Sequence, residues 1–353
     1  MKQLEKNYKK VVIKIGSSIL TKEGALNLEQ FKKIVEQIKE LVSKNKEIIL
    51  VSSGAIAAGM SLLGLKNRPT KLQELQAVAS IGQGKLMQVY AQLFKEKNLL
   101  CAQVLLTWDD FDNRVRYLNA KNTLLTLLKH KTIPIINEND TVSTDEIKFG
   151  DNDRLSSLVA VAVKADLLIN LSDVEGLKGP DGVISCVSKI TSEIKKLASG
   201  TNKQISVGGM LSKLEAAAIA NNSGVPCVIA DGKKENILIK IILENQGYGT
   251  IFLPSGKLGA RACWIAFGTK VKGKIIVDEG AKTALIEKHK SLLCPGIISL
   301  EGKFQKGDIA SILDTNGKEF SRGRVNFSSG ELEKTKGKRI AKEVIHRDDL
   351  VIL

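Results

Sequence analysis

The sequence predicts an α/β protein: an open, mostly parallel sheet with helices on both faces, followed by a small C-terminal β-barrel or sandwich. Three observations carry this. Over the first 250 residues, short near-continuous apolar runs alternate with segments whose apolar residues recur at helical spacing, the pattern of parallel strands covered on both faces. Several of those runs end in small or polar residues, and open α/β sheets build ligand sites at the carboxyl ends of their strands. Beyond Gly247-Tyr-Gly-Thr250 the apolar runs are short, β-like and broken by glycine, as in small barrels and sandwiches.

The strands expected in order are Val11–Ile15, Glu47–Val51, Leu100–Leu106, Thr132–Ile136, Asp166–Asn170 and Val225–Ile229. Between them, Leu28, Phe31, Ile34, Val35, Ile38, Leu41 and Val42 form one stripe at a period of 3.6 residues and predict a helix. Ser212–Ala220, rich in alanine and leucine after a glycine pair, predicts another packed closely on the sheet. Leu253–Gly259 reads as a linker. After it come β-like runs at Trp264–Phe267, Gly273–Val277, Ile297–Leu300, Asp308–Leu313, Gly323–Phe327 and Asp349–Leu353.

Composition bounds the function. A chain of 353 residues with 43% hydrophobic content has room for one large domain and a smaller one. No segment approaches the apolar length a bilayer needs, and the charged start Met1–Lys10 lacks the apolar core of a signal peptide, so the expected location is cytoplasmic. Five cysteines without C-x-x-C pairing favour reduced, mostly buried thiols over disulfides or zinc. The net charge of +15 invites a nucleic-acid partner. Residues 251–353 hold 19 Lys+Arg against 12 Asp+Glu, more than twice as basic per residue as the rest; a lysine-rich proteome explains the overall surplus equally well.

Five segments at strand or helix ends carry candidate chemistry. The densest is Asn137-Glu-Asn-Asp140 with Lys148-Phe-Gly-Asp-Asn-Asp153, an acid and amide cluster directly after the run Thr132–Ile136. Lys14-Ile-Gly-Ser-Ser18 places a lysine inside an apolar strand, which is costly without an anionic partner, and Gly16 with two serines suits a phosphate. Taken alone, a lysine reaching solvent at a strand end fits as well. Ser52-Ser-Gly-Ala-Ile-Ala-Ala-Gly59 is a small-residue turn entering a helix, where amides receive anions. It lacks G-x-S-x-G, and none of His130, His289 and His346 lies in a polar strand-end segment, so Ser53 is a binding hydroxyl rather than a nucleophile. Ser206-Val-Gly-Gly-Met-Leu-Ser-Lys213 is similar to phosphate loops without matching G-x-x-x-x-G-K-[ST]; a glycine-rich bend with a surface lysine is the plain alternative. Asn170-Leu-Ser-Asp-Val-Glu-Gly-Leu177 offers Ser172 and Asp173 to a nucleotide, or forms a turn and nothing more.

Read together and in this order, Lys14-Ile-Gly-Ser, Ser52–Gly59, Asn137–Asp140, Phe149-Gly-Asp-Asn-Asp153, Ser172–Leu177 and Gly208–Lys213 resemble the amino acid kinase family. Ile276-Val-Asp-Glu-Gly-Ala281, Leu292-Leu-Cys-Pro-Gly-Ile297 and His346-Arg-Asp-Asp-Leu350 resemble a PUA domain. The resemblance implies a catalytic domain over 1–252, a linker over 253–270 and a PUA-like domain over 271–353. It implies ATP-dependent phosphorylation of the L-glutamate side-chain carboxylate to glutamyl 5-phosphate, the first step towards proline. Mg²⁺, a homo-oligomer (dimer or tetramer) and feedback inhibition by proline come with it. By motif position, Lys14 and Lys213 would flank the transferring phosphoryl group and Asp153 would orient them, these three being the candidate catalytic residues. Ser53, Asp140 and Asn152 would bind glutamate. Lys14, Gly16, Ser172, Asp173, Val207, Gly208, Gly209, Met210, Leu211, Ser212 and Lys213 would bind ATP. The chain departs from the family pattern at Ser172, Val207 and Leu211-Ser212, where threonines or a Ser/Thr pair are common; nucleotide contacts are the ones affected. Another amino acid kinase, for aspartate or uridylate, is the near alternative, and an RNA-binding or RNA-modifying protein acting through the PUA-like domain is the distant one.

A carboxylate acceptor has an ordinary pKa of about 4.3 and is ionised at neutral pH. It needs no general base, which suits a candidate site without histidine; what it needs is charge neutralisation and alignment.

Overall fold

A computed structural model describes residues 7–143, 151–199, 209–244, 247–254, 258–338 and 342–353. They form two compact units, one of residues 1–110 and 115–257, the other of 111–114 with 258–353.

The first unit is built on eight strands: β1 (Lys10–Ile15), β2 (Glu47–Ser52), β3 (Leu100–Leu106), β4 (Thr132–Glu138), β5 (Leu167–Ser172), β6 (Cys186–Val187), β7 (Cys227–Asp231) and β8 (Thr250–Phe252). They lie in the order β6-β8-β7-β5-β1-β2-β4-β3. All neighbours run parallel except β7 and β8. β1 and β5 occupy the middle and are buried along nearly their whole length, which is why their sequences read as unbroken apolar runs rather than as alternation. Several strands extend past the expected limits: β5 runs to Ser172 and β7 to Asp231. Ser172 is therefore a strand residue, in register with Asp231.

The helices follow their apolar stripes. In α1 (Leu28–Ser43), Asn27 caps the start by accepting from the Gln30 N–H, and Phe31, Ile34, Val35, Ile38 and Leu41 are buried. Leu28, expected on that stripe, is exposed, because a first-turn residue lies beyond the edge of the sheet-facing stripe. α2 (Ala55–Leu62) and α3 (Leu72–Glu96) pack closely. Two glycines allow it: a Cβ at Gly59 would fall 1.9 Å from the Val78 carbonyl oxygen, and one at Gly82 1.8 Å from that of Ala55. α4 (Asp151–Val163) and α5 (Met210–Asn222) pack together, and α5 buries Leu214, Ala216, Ala217, Ile219 and Ala220.

The second unit holds a five-stranded sheet of β9 (Val271–Val277), β10 (Ile297–Gly302), β11 (Ile309–Leu313), β12 (Glu319–Arg324) and β13 (Leu350–Ile352), in the order β10-β9-β11-β12-β13. Two expectations are corrected. Trp264–Phe267 is a helical turn, not a strand. Its apolar residues wrap inward because the Trp264 Nε1 donates to the Phe111 carbonyl at 2.8 Å while Ile265 and Ala266 are buried; a four-residue apolar run cannot separate the two states by period. The expected strand Gly323–Phe327 lies instead at Glu319–Arg324, where pairing with β11 and the burial of Phe320 and Ser321 set the register. The fold is thus the mixed α/β sheet with a separate β-rich C-terminal unit that the sequence predicts.

Candidate active site

The carboxyl ends of β1, β2, β4 and β5 and the amino ends of α4 and α5 supply the candidate residues. Lys14 sits one residue before the end of β1, in register with Val51 on one side and Asn170 on the other. Its side chain is buried, so its ammonium has to meet an anion inside the protein. That anion is Asp153, on the first turn of α4 and fully buried.

The Asp153 carboxylate is saturated. Lys14 Nζ lies 2.6 Å from Oδ1, and Asn170 Nδ2 donates to the same oxygen at 2.9 Å. On Oδ2, Ser212 Oγ donates at 2.7 Å and Lys213 Nζ at 3.3 Å. A carboxylate has about four acceptor positions, and here each is taken by the protein. Burial alone would push the Asp153 carboxyl up; the Lys14 and Lys213 charges, with hydrogen bonds from Lys14 and Ser212, outweigh it and hold the group down to about 2. Burial also draws the Lys14 ammonium below its ordinary value, with Asp153 opposing and Lys213 adding to the fall. Two buried ammonium groups thus share one carboxylate, an arrangement that favours the arrival of a further anion.

A second network lies beside the first. Asn152 Nδ2 reaches Ser53 Oγ at 3.0 Å, the Ser52 carbonyl at 3.2 Å and Asn137 Oδ1 at 2.9 Å. Asn137 in turn donates to Gln83 Oε1 on α3 at 2.8 Å, while the Glu138 N–H fixes Asn137 Oδ1 as an acceptor at 3.0 Å. Ser53 follows β2, its N–H bonded to the Ile15 carbonyl at 3.1 Å, and Gly54 turns the chain into α2 at a φ of 106° that favours glycine. Ser52 Oγ and the buried Tyr90 hydroxyl pair at 2.9 Å. Asp140 stands in the turn after β4. The Asn152 Oδ1 atom is buried without a hydrogen-bond partner among the described residues, an acceptor that a bound ammonium or N–H would satisfy.

On the nucleotide side, the Gly16 N–H is bonded to the Leu171 carbonyl at 3.0 Å. A Cβ on Gly16 would lie 3.6 Å from Lys14 Nζ, so glycine keeps that flank of the ammonium open. Ser172 Oγ donates to Asp173 Oδ1 at 3.2 Å, and Asp173 is close enough to Lys14 to act on its charge. Gly209 precedes the thirteen-residue helix α5, and Lys213 stands on its first turn. Met210 is half-buried and Leu211 is 46% exposed. Ser212, expected on ATP, has its hydroxyl on Asp153. Val207 and Gly208 lie outside the described residues.

Sequence reading missed Asn170 and Gln83 as members of these networks. Asn170 carried a signal, a polar side chain inside the apolar run of residues 167–171, whereas Gln83, between two glycines and near Lys85, carried none. The structure buries both, at 1% and 9% exposure, and such residues rarely stay buried without a partner.

The amino acid kinase family is matched over residues 9–231 and a PUA domain over 273–347. Fold and matched segments define an amino acid kinase domain with a PUA domain behind it. The chain is 47% identical to the glutamate 5-kinase of Caldanaerobacter subterraneus subsp. tengcongensis, over 98% of each chain. It is 42% identical to that of Carboxydothermus hydrogenoformans, over the full length of both. The chain belongs to the amino acid kinase family, in its glutamate 5-kinase branch. A solved UMP kinase from Bacillus anthracis aligns with a TM-score of 0.48 at 15% identity, covering 71% of this chain and 98% of that one; a likeness at that level carries no assignment.

Proposed function

We propose that the chain transfers the γ-phosphoryl group of ATP to the side-chain carboxylate of L-glutamate, forming glutamyl 5-phosphate on the way to proline. The observation that carries this is the convergence of Lys14 and Lys213 on Asp153, beside a separate amide and hydroxyl network around Asn152 and Ser53. Transfer between two anions is opposed by their repulsion, and preorganised cations in a water-poor site remove it at little reorganisation cost. Lys14 and Lys213 contact the transferring group; Asp153 holds their ammonium tips apart and aimed. Ser53 and the amides near it take the substrate's α-carboxylate, and Asp140 pairs with its ammonium. Gly16, Ser172, Asp173 and the segment Val207–Lys213 cradle the nucleotide.

Among the described residues no three His, Cys, Asp or Glu side chains cluster as a metal cage, and the saturated Asp153 does not fit the role of ligand. Mg²⁺ would enter as the counter-ion of the nucleotide's phosphates, supplying charge neutralisation there. Proline as feedback inhibitor and a dimer or tetramer belong to the same reading. No described helix is long and apolar enough to cross a membrane.

The test supplies ATP, Mg²⁺, hydroxylamine and a panel of glutamate, aspartate and carbamate to the wild type and to Lys213→Ala. Glutamate alone should yield hydroxamate. The variant should lose about 3 kcal/mol or more of transition-state stabilisation, the scale of a lost oxyanion donor. Product from aspartate or carbamate with none from glutamate would end the assignment. RNA contact by the second unit rests on its PUA resemblance and its charge, not on aromatic stacking: Phe304 and Phe320 are buried, and Phe267 and Phe327 pack on its core clusters, which leaves them unsuited to stacking on bases.

A further inference from the structure

We propose that Asn170 is a positioning residue for phosphoryl transfer: its side-chain amide locks the Asp153 carboxylate in the orientation that divides its two oxygens between Lys14 and Lys213. The proposal rests on the phosphotransfer reading above.

β5 reads Leu167-Leu-Ile-Asn-Leu-Ser172, buried at each position. An asparagine at 1% exposure in such a strand costs stability unless its polar atoms are used. One end is used, and for a single purpose: Nδ2 donates to Asp153 Oδ1 at 2.9 Å. The other end, Oδ1, is buried with no hydrogen-bond partner among the described residues, so the bond to Asp153 is the one that accounts for the amide. Its position adds to the case. Asn170 is the register partner of Lys14 on the adjacent strand, and the two side chains meet on the same carboxylate oxygen.

The donor is neutral, which matters. A third cation would compete with the lysines for the one negative charge that keeps two like ammonium groups together. An amide fixes the plane of the carboxylate without drawing on that charge. With Asn170 and Ser212 each holding one oxygen, the carboxylate is restrained from rotating about its Cβ–Cγ bond. Each ammonium then has one oxygen to lean on and N–H groups to turn toward the phosphoryl oxygens.

Two full-length variants test this in the ATP-dependent hydroxamate assay. Asn170→Leu keeps the branched outline and removes the donor; kcat should fall roughly tenfold to a hundredfold, by analogy with the loss of groups that orient metal ligands from behind. The KM values for glutamate and ATP should stay within about twofold, because neither substrate is touched. Asn170→Asp gives a sharper readout. Ionised, the new carboxylate faces Asp153 and donates nothing; protonated, it donates the same hydrogen bond as the amide. The charged and titratable groups around it are Asp153, Lys14, Lys213, the nearby Asp173, and Cys227, whose thiol burial pushes up and out of range. Activity of this variant relative to wild type should climb as pH falls from about 8 to about 6.

The proposal is overturned by kcat within about twofold of wild type in Asn170→Leu with a change confined to KM or to melting temperature. An Asn170→Asp variant whose relative activity is flat across that pH range overturns it equally, and this variant decides the matter alone if the leucine variant does not fold. Wild-type protein that turns over a different carboxylate substrate would defeat the glutamate reading, and the same two profiles would then be read on that substrate.

Discussion

Asp153 is held by two ammonium groups, a hydroxyl and an amide, and the energetic consequence reaches beyond catalysis. Its carboxyl is held at about 2 against an ordinary 3.8. A depressed acid contributes stability that is whole above its unfolded value and is lost as pH falls through its folded one. The contribution of Asp153 should therefore be intact at neutral pH and disappear between about pH 4 and about pH 2. Asp153→Asn strands two buried cations at neutral pH, a loss of about 3–5 kcal/mol for a broken buried pair. Urea unfolding of both proteins across that acid range should show their stability gap narrowing. A gap that stays constant would mean the lysines hold Asp153 no more tightly when folded than when unfolded.

Elements bring these residues together through close backbone approach. The turn after β2 carries Ser53, α2 begins at Ala55, and α3 presses on that start at Gly82, within the reach of a single methyl group. Gly82 is followed by Gln83, which holds Asn137 and through it Asn152. Gly82→Ala would drive a methyl into the Ala55 carbonyl. The helices have to separate, at a cost of roughly 1–3 kcal/mol for overpacking, and the turn that carries Ser53 moves with them. The expected outcome is a lower melting temperature together with a raised KM for glutamate, while the ATP KM holds. Alanine tolerated in both measurements would show that the approach of α2 and α3 is not what positions Ser53.

At the scale of the whole molecule, each unit has a core of its own, one built around β1, β2 and β5 with α1 and α3, the other around β9 and β11. Each candidate site residue lies within residues 14–213, on the first unit. A fragment of residues 1–257 should accordingly keep ATP-dependent hydroxamate formation, with kcat within about threefold of the full chain, since a domain with its own core can fold alone. In that fragment the segment 111–114 loses its bonds to Trp264 and Lys270 of the second unit, and neither bond involves a candidate site residue. A folded fragment with no activity would show that the second unit completes the catalytic machinery.

Much of this was legible in the sequence, for a physical reason. Strands buried on both faces must be apolar throughout, helices must repeat at 3.6 residues, and charged or amide groups at strand ends must answer to a ligand or to each other. The α/β class, the succession of strands along the chain and the polar segments that hold Lys14, Asn152, Asp153 and Lys213 can therefore be read from local pattern, while the meeting of Lys14 and Lys213 at Asp153 was implied by the family resemblance. Less local facts could not. Trp264–Phe267 curls into a helical turn because a carbonyl 153 residues earlier accepts its indole N–H, and Asn170 and Gln83 look like isolated polar residues until the fold sets Asp153 and Asn137 against them. Period and composition act over a few residues; which buried donor meets which buried acceptor depends on strand register and helix packing, and only the tertiary structure decides that.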